Sequence, residues 1–521
     1  MANEKGSTYL LENLLKIIYE RYNDFKNIGH HIQFDTTALQ ILKEGALNKA
    51  DIENKIKKYD SIKYQEKIND RYHELKLELI AEQPKSMLLT FIYIDLVVNA
   101  LPNSFFENLN LESKRLKQII LSIMIYYLFL QSYVYGEKPL SSTQRKWLLG
   151  REDFYLGIDE IKKVCWQVEN KDFEIFCDKY AFDLEKKDVS ELNGEGFYKN
   201  GNQYFILRIE EFLEYSLIKT ERLFKNSCTN QEFSEYQRKK GFCFEDLVFS
   251  QLKVFYKNAA HSVYYYPQKN KKAEIDILLP QENYLIIIEC KSGTIDLKSA
   301  SSDEEVRKKI DNKVKKAYNT LENANNYVLS VDKYKFSNKS NIVEGESKNK
   351  EVLCLHLSMY SLDAISSNVH VLNQKYIGKS GNPKITMSYE HFLAICLDCQ
   401  VRGMAIEAYL KERKKNINKY PKARFDNNEL DFYYQLTNKG NKSMLSESLE
   451  NGFLENFDDN FRIITTFHNS LGKEIRPASD MLLNMDDKLL YMILKNAKTQ
   501  FGLNKRYVTY LNEYLSVDMI N

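Results

Sequence analysis

One segment constrains the fold of this chain more than any other: a run of bulky apolar residues that ends in an acid and a lysine. Residues 285–288 are Leu, Ile, Ile and Ile, and residues 289–291 are Glu, Cys and Lys. Such an uninterrupted apolar run is typical of a strand that is buried on both faces of a sheet. Glu289 and Lys291 lie two residues apart and therefore share one face. Charges at the margin of a core are costly unless they are paired or bind a metal, so this strand end predicts a site.

A second acid lies on the β pattern that precedes this segment. We expect a strand from Ala273 to Leu279, separated from the apolar segment by the turn at 280–283. Such a short turn predicts that the two strands are antiparallel neighbours, which brings Asp276 close to Glu289. The alternative is a structural ion pair at the strand end, with Asp276 acting only as a turn acid.

The order of elements around these strands predicts an α/β core with a central mixed sheet. An amphipathic helix, about Phe242 to Phe255, precedes the strands and carries Glu245. A charged helix is expected from about Asp303 to Asn323 and another strand from Tyr327 to Val331. Val352 to Met359 alternates like a further strand of the same sheet.

This set of residues suits phosphodiester hydrolysis. Asp276, Glu289 and the backbone carbonyl of Cys290 offer the hard oxygen ligands that Mg²⁺ prefers, and Mn²⁺ is expected to substitute for it. Glu245 adds a third carboxylate from the helix. A bound ion lowers the pKa of its water and neutralises charge on the phosphate. Lys291 can orient or help to deprotonate that water and can contact the scissile phosphate.

These residues resemble the PD-(D/E)xK, or restriction-endonuclease-like, nuclease superfamily over about 90 residues, 241–330. Glu245 matches the helix acid, Asp276 the first strand acid, and residues 289–291 the E-x-K element. The motif looks most like the nuclease-related and Holliday-junction-resolvase-like branches. The resemblance implies a Mg²⁺-dependent nuclease that cuts DNA in preference to RNA, in bacterial anti-phage defence or DNA processing. Two alternatives stay open: a degenerate nuclease fold that binds nucleic acid or scaffolds a partner, and an RNA or tRNA nuclease.

Many members of this superfamily carry a Gln and a Tyr on the helix after E-x-K. Here Tyr318 matches the Tyr, whereas Val314 stands at the Gln position. Lys313 or Lys316 would then supply the phosphate contact. A solvated helix face balanced by nearby acids is the alternative for these lysines.

The whole chain is expected to be a multidomain α+β protein. Residues 1–235 read as a mainly helical region with a hairpin near 198–207, residues 236–375 as the nuclease core, and residues 376–521 as a mainly helical region. The composition of the helical regions fits either substrate-binding arms or an oligomer interface, with a second copy or with a partner protein. Two polar segments are expected to be irregular: a linker at 226–240 and a flexible loop at 337–350.

Composition excludes several other classes. Lys and Arg number 74 against 72 Asp and Glu, so nucleic-acid binding would depend on charge clustered on one face. Eight cysteines are too few for a disulfide scaffold, and Cys396 and Cys399 read as buried helical side chains rather than as a zinc site. The most apolar stretch, 119–130, is too short to span a bilayer and predicts a buried helix. We therefore expect a reduced, cytoplasmic protein without a membrane partner.

Overall fold

The computed structural model shows a mixed α and β protein, as the sequence predicts. It divides into two compact units, residues 1–233 together with 479–521, and residues 234–478. The structure describes residues 87–135, 156–164, 168–187, 195–207, 209–268, 271–293, 314–339, 341–348, 350–360, 383–401 and 403–420, and short pieces at 308, 424–425, 429, 432–433, 436 and 453–454. Within these ranges, no helix combines the length and the apolar character that crossing a membrane requires.

The first unit is mainly helical in its described part. Its helices are α1 (Met87–Ala100), α2 (Asn103–Leu109), α3 (Ser113–Tyr135), α4 (Ile158–Val164), α5 (Asn170–Tyr180) and α6 (Ile209–Ser227). The apolar stretch 119–130 lies within α3, and residues 119–124 are buried, which confirms the expected buried helix. Lys117 of α3 is also buried, and its ammonium is paired because it donates to Asp95 of α1 at 2.7 Å.

The expected hairpin near residues 198–207 is confirmed. The strands β1 (Phe182–Asp183), β2 (Tyr198–Asn200) and β3 (Gln203–Phe205) form a small sheet in which β2 and β3 are antiparallel. The turn between them is Gly201-Asn202, and Gly201 has a φ of 61°, a left-handed conformation that costs glycine little.

The linker predicted at 226–240 is wrong from residue 230 onward, because one helix, α7 (Asn230–Phe255), runs through it. A capping box begins this helix: the Thr229 N–H donates to the Glu232 carboxylate at 2.8 Å, and the Glu232 N–H donates to the Thr229 hydroxyl at 3.2 Å. Tyr236 and Phe244 are buried along it. The Thr-x-x-Glu capping sequence is present in the chain, but the polar composition of the segment led to the prediction of a linker.

The second unit is built on a seven-stranded mixed sheet. Its strands are β4 (Ala260–Gln268), β5 (Lys271–Pro280), β6 (Tyr284–Lys291), β7 (Lys333–Ser337), β8 (Ile342–Glu346), β9 (Glu351–Ser358) and β10 (Lys384–Ser388). They lie in the order β10-β9-β6-β5-β4-β7-β8. Strands β4, β5 and β6 pair antiparallel, whereas β6, β9 and β10 pair parallel. The predicted mixed sheet and the predicted antiparallel pair are therefore confirmed.

Helices lie against both faces of this sheet. They are α7, α8 (Lys316–Ser330), α9 (Tyr389–Val401) and α10 (Ile406–Lys419). Leu285 and Ile287 pack with Leu321 of α8 in one apolar core. Ile288 points to the opposite face of the sheet. His261 shares that face, because it pairs with Ile277 on β5 and Ile277 pairs with Ile288 on β6. The His261 side chain contacts side chains of α7. The end of β6 therefore lies between α7 and α8.

Of two elements expected around α8, one is placed differently and the other is described only in part. The strand predicted at 327–331 is wrong, because α8 continues to Ser330. Ala317, Leu321, Ala324 and Val328 are buried at helical spacing, so packing of this stripe overrides the local β propensity of Tyr-Val-Leu. Of the charged helix predicted at 303–323, the structure describes α8 from Lys316, and residues 303–313 lie outside the described residues apart from 308.

The loop predicted at 337–350 is wrong as well, because β7 and β8 form an antiparallel hairpin there. The Asn341 N–H donates to the Asn338 side chain at 2.7 Å, which is an Asx-type turn. The sheet also extends past residue 375, the expected end of the core, because β10 pairs with β9. Cys396 and Cys399 of α9 are buried thiols, as expected for helical core side chains.

Candidate active site

Asp276 lies where β5 and β6 stop pairing. The last register pair between the two strands is Ile277 with Ile288. Beyond that pair, the Asp276 carboxylate accepts a hydrogen bond from the backbone N–H of Cys290 at 2.7 Å. A side chain thus replaces a backbone acceptor of the ladder, and Asp276 lies beside Glu289 as the short turn predicts.

Glu289 is a buried carboxylate with an incomplete set of partners. Its side chain is 7% exposed, and one oxygen accepts a hydrogen bond from the Lys291 ammonium at 2.5 Å. The other oxygen, Oε2, is buried without a hydrogen-bond partner. Burial, and then the charge of Asp276, raises the pKa of Glu289 to about 8. Such a group is costly in the folded protein unless a further partner binds it.

Glu245 belongs to the same electrostatic cluster. Phe244, Leu247 and Val248 anchor this part of α7 because they are buried. Burial, and then the charge of Asp276, raises the pKa of Glu245 to about 8, while Lys291 opposes the shift. The helix predicted from about Phe242 begins earlier, at Asn230, so Glu245 lies well inside α7.

Lys291 is the cation that the three acids share. Burial alone would lower the pKa of Lys291, but the charges of Glu289 and Asp276 outweigh it and raise that pKa. Burial also raises the pKa of Asp276, while Lys291 and the hydrogen bond from Cys290 oppose the shift. The acids therefore outnumber their cation three to one, and a further positive charge would stabilise this site.

His261 contacts this cluster although no spacing in the sequence indicated it. Its Nδ1 atom lies 3.3 Å from the Asp246 carboxylate and its Nε2 atom 3.9 Å from that of Glu245. The imidazole stacks on Phe249 with ring centroids 5.0 Å apart. The strand register and the position of α7 create these contacts, so a search for ligand spacing along the chain could not find them.

His356 is the second histidine that sequence reasoning missed. It is the register neighbour of Glu289 on β9, and Thr386 follows it on β10. Burial, and then the charge of Lys291, lowers the pKa of His356 to about 3, so the ring is neutral. Its Nδ1 atom lies 3.4 Å from the Thr386 hydroxyl, and its Nε2 atom is buried without a hydrogen-bond partner. A polar row therefore crosses three parallel strands at the level of Glu289.

The residues predicted to contact nucleic acid near the start of the following helix lie in different environments. Tyr318 is buried, and its hydroxyl lies within hydrogen-bond distance of the Lys384 carbonyl and the Thr386 hydroxyl, at 3.2 and 2.8 Å. This environment makes Tyr318 a core residue and does not favour the predicted contact. Lys316 is exposed at the start of α8, where its role stays a prediction. Lys313 lies outside the described residues.

The donor chemistry of the cluster fits a hard divalent ion, although the three carboxylates are not arranged around a single point. Glu245, Asp276 and Glu289 supply oxygen ligands only, and Glu289 Oε2 is an unused buried acceptor. Over the part of the chain that the structure describes, no three His, Cys, Asp or Glu side chains are arranged to hold a metal ion. The Lys291 ammonium bonds the other Glu289 oxygen in this arrangement.

Comparison with known proteins gives one match. Residues 240–338 match a family model described as a domain of unknown function, DUF4143. No curated protein and no solved structure matches the chain. The matched segment runs from the second half of α7 through β4, β5, β6 and α8 to β7. It therefore contains Glu245, Asp276, Glu289 and Lys291, and the family has no assigned activity to transfer to them.

Proposed function

We propose that this protein is a divalent-metal-dependent nuclease that hydrolyses nucleic-acid phosphodiester bonds, with DNA preferred to RNA. The observation that carries the proposal is the cluster of Glu245, Asp276, Glu289 and Lys291 at the end of β6, in which three buried or half-buried acids share one lysine. Strongly shifted pKa values of neighbouring groups concentrate at functional sites. A role in anti-phage defence or DNA processing is part of the same proposal, from family resemblance alone.

Each residue has a distinct task in this proposal. Asp276, Glu289 and the Cys290 carbonyl would hold Mg²⁺ or Mn²⁺, with Glu245 as a further ligand from α7. The ion would supply a water of lowered pKa and would neutralise charge on the phosphate. The raised pKa of Lys291 keeps its ammonium protonated at neutral pH. Lys291 is therefore better suited to bind a phosphate oxygen or to orient the water than to act as a base.

The acid cluster separates this proposal from its main alternative, a non-catalytic module that keeps a degenerate nuclease fold. A module that only binds or scaffolds has no use for three adjacent acids with raised pKa values, which cost stability. RNA or tRNA cleavage uses the same metal chemistry, so RNA remains a second candidate substrate.

The test is a cleavage assay with purified full-length protein. Plasmid DNA, linear DNA and total RNA are each incubated in Mg²⁺, in Mn²⁺ and in excess EDTA. We expect cleavage in either metal and none in EDTA. A Glu289→Gln protein purified in parallel controls for a contaminating nuclease. Undiminished cleavage in EDTA, or equal cleavage by the Glu289→Gln protein, would remove the proposed mechanism.

A further inference from the structure

Two exposed aromatic side chains lie on α7, which carries Glu245, and on β4, which pairs with the strand of Asp276. Phe242 is 45% exposed and precedes Glu245 by one turn of α7, and Tyr266 is 58% exposed on β4. Among the described residues, the other large hydrophobic side chains exposed to this degree are Leu329 and Ile342, on α8 and β8. Exposed aromatic rings next to a polar cluster provide flat apolar surface for a ligand.

One cation lies over the Phe242 ring, and another lies over the ring of Tyr264, which is close to Tyr266 on β4. The Arg238 guanidinium lies 5.6 Å from the centroid of the Phe242 ring. The Lys272 ammonium lies 3.3 Å from the centroid of the Tyr264 ring, and Tyr264 is two residues from Tyr266 on one face of β4. Arg238 and Lys272 are exposed. A ring and a positive charge side by side match a nucleotide, which presents an aromatic base and an anionic phosphate.

The spacing places these rings next to the acids. Tyr264 is the register partner of Glu274, and Asp276 is two residues further along β5. At about 3.3 Å per residue, Tyr264 is roughly 7 Å from the level of Asp276. Phe242 precedes Glu245 by three residues, about 4.5 Å along α7. A strand that stacks on these rings would therefore pass the acid cluster.

We propose that Phe242, Tyr264 and Tyr266, together with Arg238 and Lys272, form a binding surface for an unpaired nucleic-acid strand. This inference rests on the proposed function and narrows its substrate class to single strands or unpaired segments. Cations alone would bind duplex and single strands alike. The rings discriminate between them, because the base faces of a duplex are already stacked on each other, whereas those of an unpaired strand are free. DNA and RNA share this chemistry.

The test measures binding without cleavage. Full-length Glu289→Gln protein in metal-free buffer is titrated into labelled oligodeoxythymidylate, oligouridylate and a blunt DNA duplex of equal length, with fluorescence anisotropy as the readout. We expect the single strands to bind at least about tenfold more tightly than the duplex. Phe242→Ala and Tyr266→Ala should each weaken single-strand binding about tenfold. Leu329→Ala and Ile342→Ala, which remove equally exposed apolar side chains elsewhere, should leave the affinity unchanged. The two oligonucleotides separate DNA from RNA as the source of the strand.

Equal affinity for duplex and single strands, or parental affinity in both aromatic variants, would overturn the inference. Its failure differs from failure of the proposed function. If single strands bind but the parent protein cuts no nucleic acid with metal, the nuclease proposal falls and the surface remains a binding site. If the parent cuts duplex DNA and the aromatic variants cut and bind like the parent, the nuclease proposal stands and this inference falls.

Discussion

Two buried acid–base pairs of the second unit differ in how well their charges are balanced. In the first, Arg413 donates to both oxygens of Glu429 at 2.7 and 3.3 Å, and the Tyr409 hydroxyl donates to the same carboxylate at 2.5 Å. In the second, Lys291 donates to one oxygen of Glu289, and the other oxygen has no partner. The first pair has one acid for one base, whereas the second has three acids for one lysine.

We propose that this difference separates a structural ion pair from a functional site. A balanced, multiply bonded pair offsets the cost of burying its charges, and its natural role is to fix packing. The unbalanced cluster leaves an acceptor unused and raises the pKa of Glu245 and Glu289 to about 8, so it weakens the folded state. Proteins retain such a cost where function requires it. Substitutions at the two pairs should therefore affect different properties.

The largest effect should be on catalysis. Asp276→Ala and Glu289→Ala should each lower kcat/KM by at least about 10³-fold, because each removes a proposed metal ligand. Both variants should also lose Mn²⁺ affinity in calorimetry. Lys291→Ala should lose activity to a similar degree but keep most of that affinity, since a protonated lysine cannot bind a metal. Parental rates and parental Mn²⁺ binding in all three variants would show that the site lies elsewhere.

Removal of the balanced pair should affect stability instead. Glu429→Gln leaves the buried Arg413 guanidinium without a charged partner and should lower the free energy of unfolding by about 3 kcal/mol. Urea denaturation measures this loss. The matched change, Glu289→Gln, should cost little or should stabilise the metal-free protein. A larger loss of stability in Glu289→Gln than in the Glu429 variant would contradict the distinction between the two pairs.

The free energy of unfolding of the metal-free protein should depend on pH through Glu289. The pKa of Glu289 is about 8 in the folded state, above its value in the unfolded chain. Its stabilising contribution is therefore complete below the unfolded value and is lost as pH rises through about 8. In EDTA, Glu289→Gln should gain on the order of 4 kcal/mol relative to the parent between pH 5 and pH 9, because the parent loses about 1.4 kcal/mol for each of the roughly three pH units below its folded pKa. Urea midpoints across this range measure the gap, and a gap that is independent of pH would contradict the assignment.

The smallest effect should come from His261. Its imidazole lies between Glu245 and Asp246, so His261→Ala should disorder the Glu245 carboxylate and lower kcat about tenfold with little change in unfolding temperature. Asp246→Asn is the control, because the Asp246 side chain is 68% exposed and reaches only the other nitrogen. Equal losses in both variants would assign the effect to the contact between Asp246 and the imidazole rather than to Glu245.

The sequence predicted the parts of this site that depend on local pattern. The apolar run before Glu289 and the short turn before it predicted the strand pair and the proximity of Asp276, because strand alternation and turn length are local properties. His261 and His356 could not be predicted, since they reach the cluster through pairing across β4 and β9. Tyr318 matched a family pattern, yet its hydroxyl lies against β10, a contact 68 residues away in sequence.

The fold shows the same division. The bounds of β6 follow from its composition, and the hairpin at Gly201 follows from its turn. The segment expected to form a strand at 327–331 instead forms the end of α8. Burial of Leu321 and Val328 against the sheet favours the helix there, and this tertiary effect cannot be predicted from local sequence. The β7–β8 hairpin was not predicted, because β8 is an edge strand whose side chains largely face solvent, so the segment lacks a clear apolar pattern.

Thermal unfolding of the parent protein and of Glu289→Gln at pH 8, with and without about 1 mM Mn²⁺, tests whether the acid cluster is an unbalanced site that needs a cation. Mn²⁺ should raise the unfolding temperature of the parent by several degrees and leave that of Glu289→Gln unchanged, with the variant the more stable of the two in EDTA. If Mn²⁺ shifts neither protein and Glu289→Gln unfolds at the lower temperature, Glu289 and Lys291 are a structural ion pair and the account is contradicted.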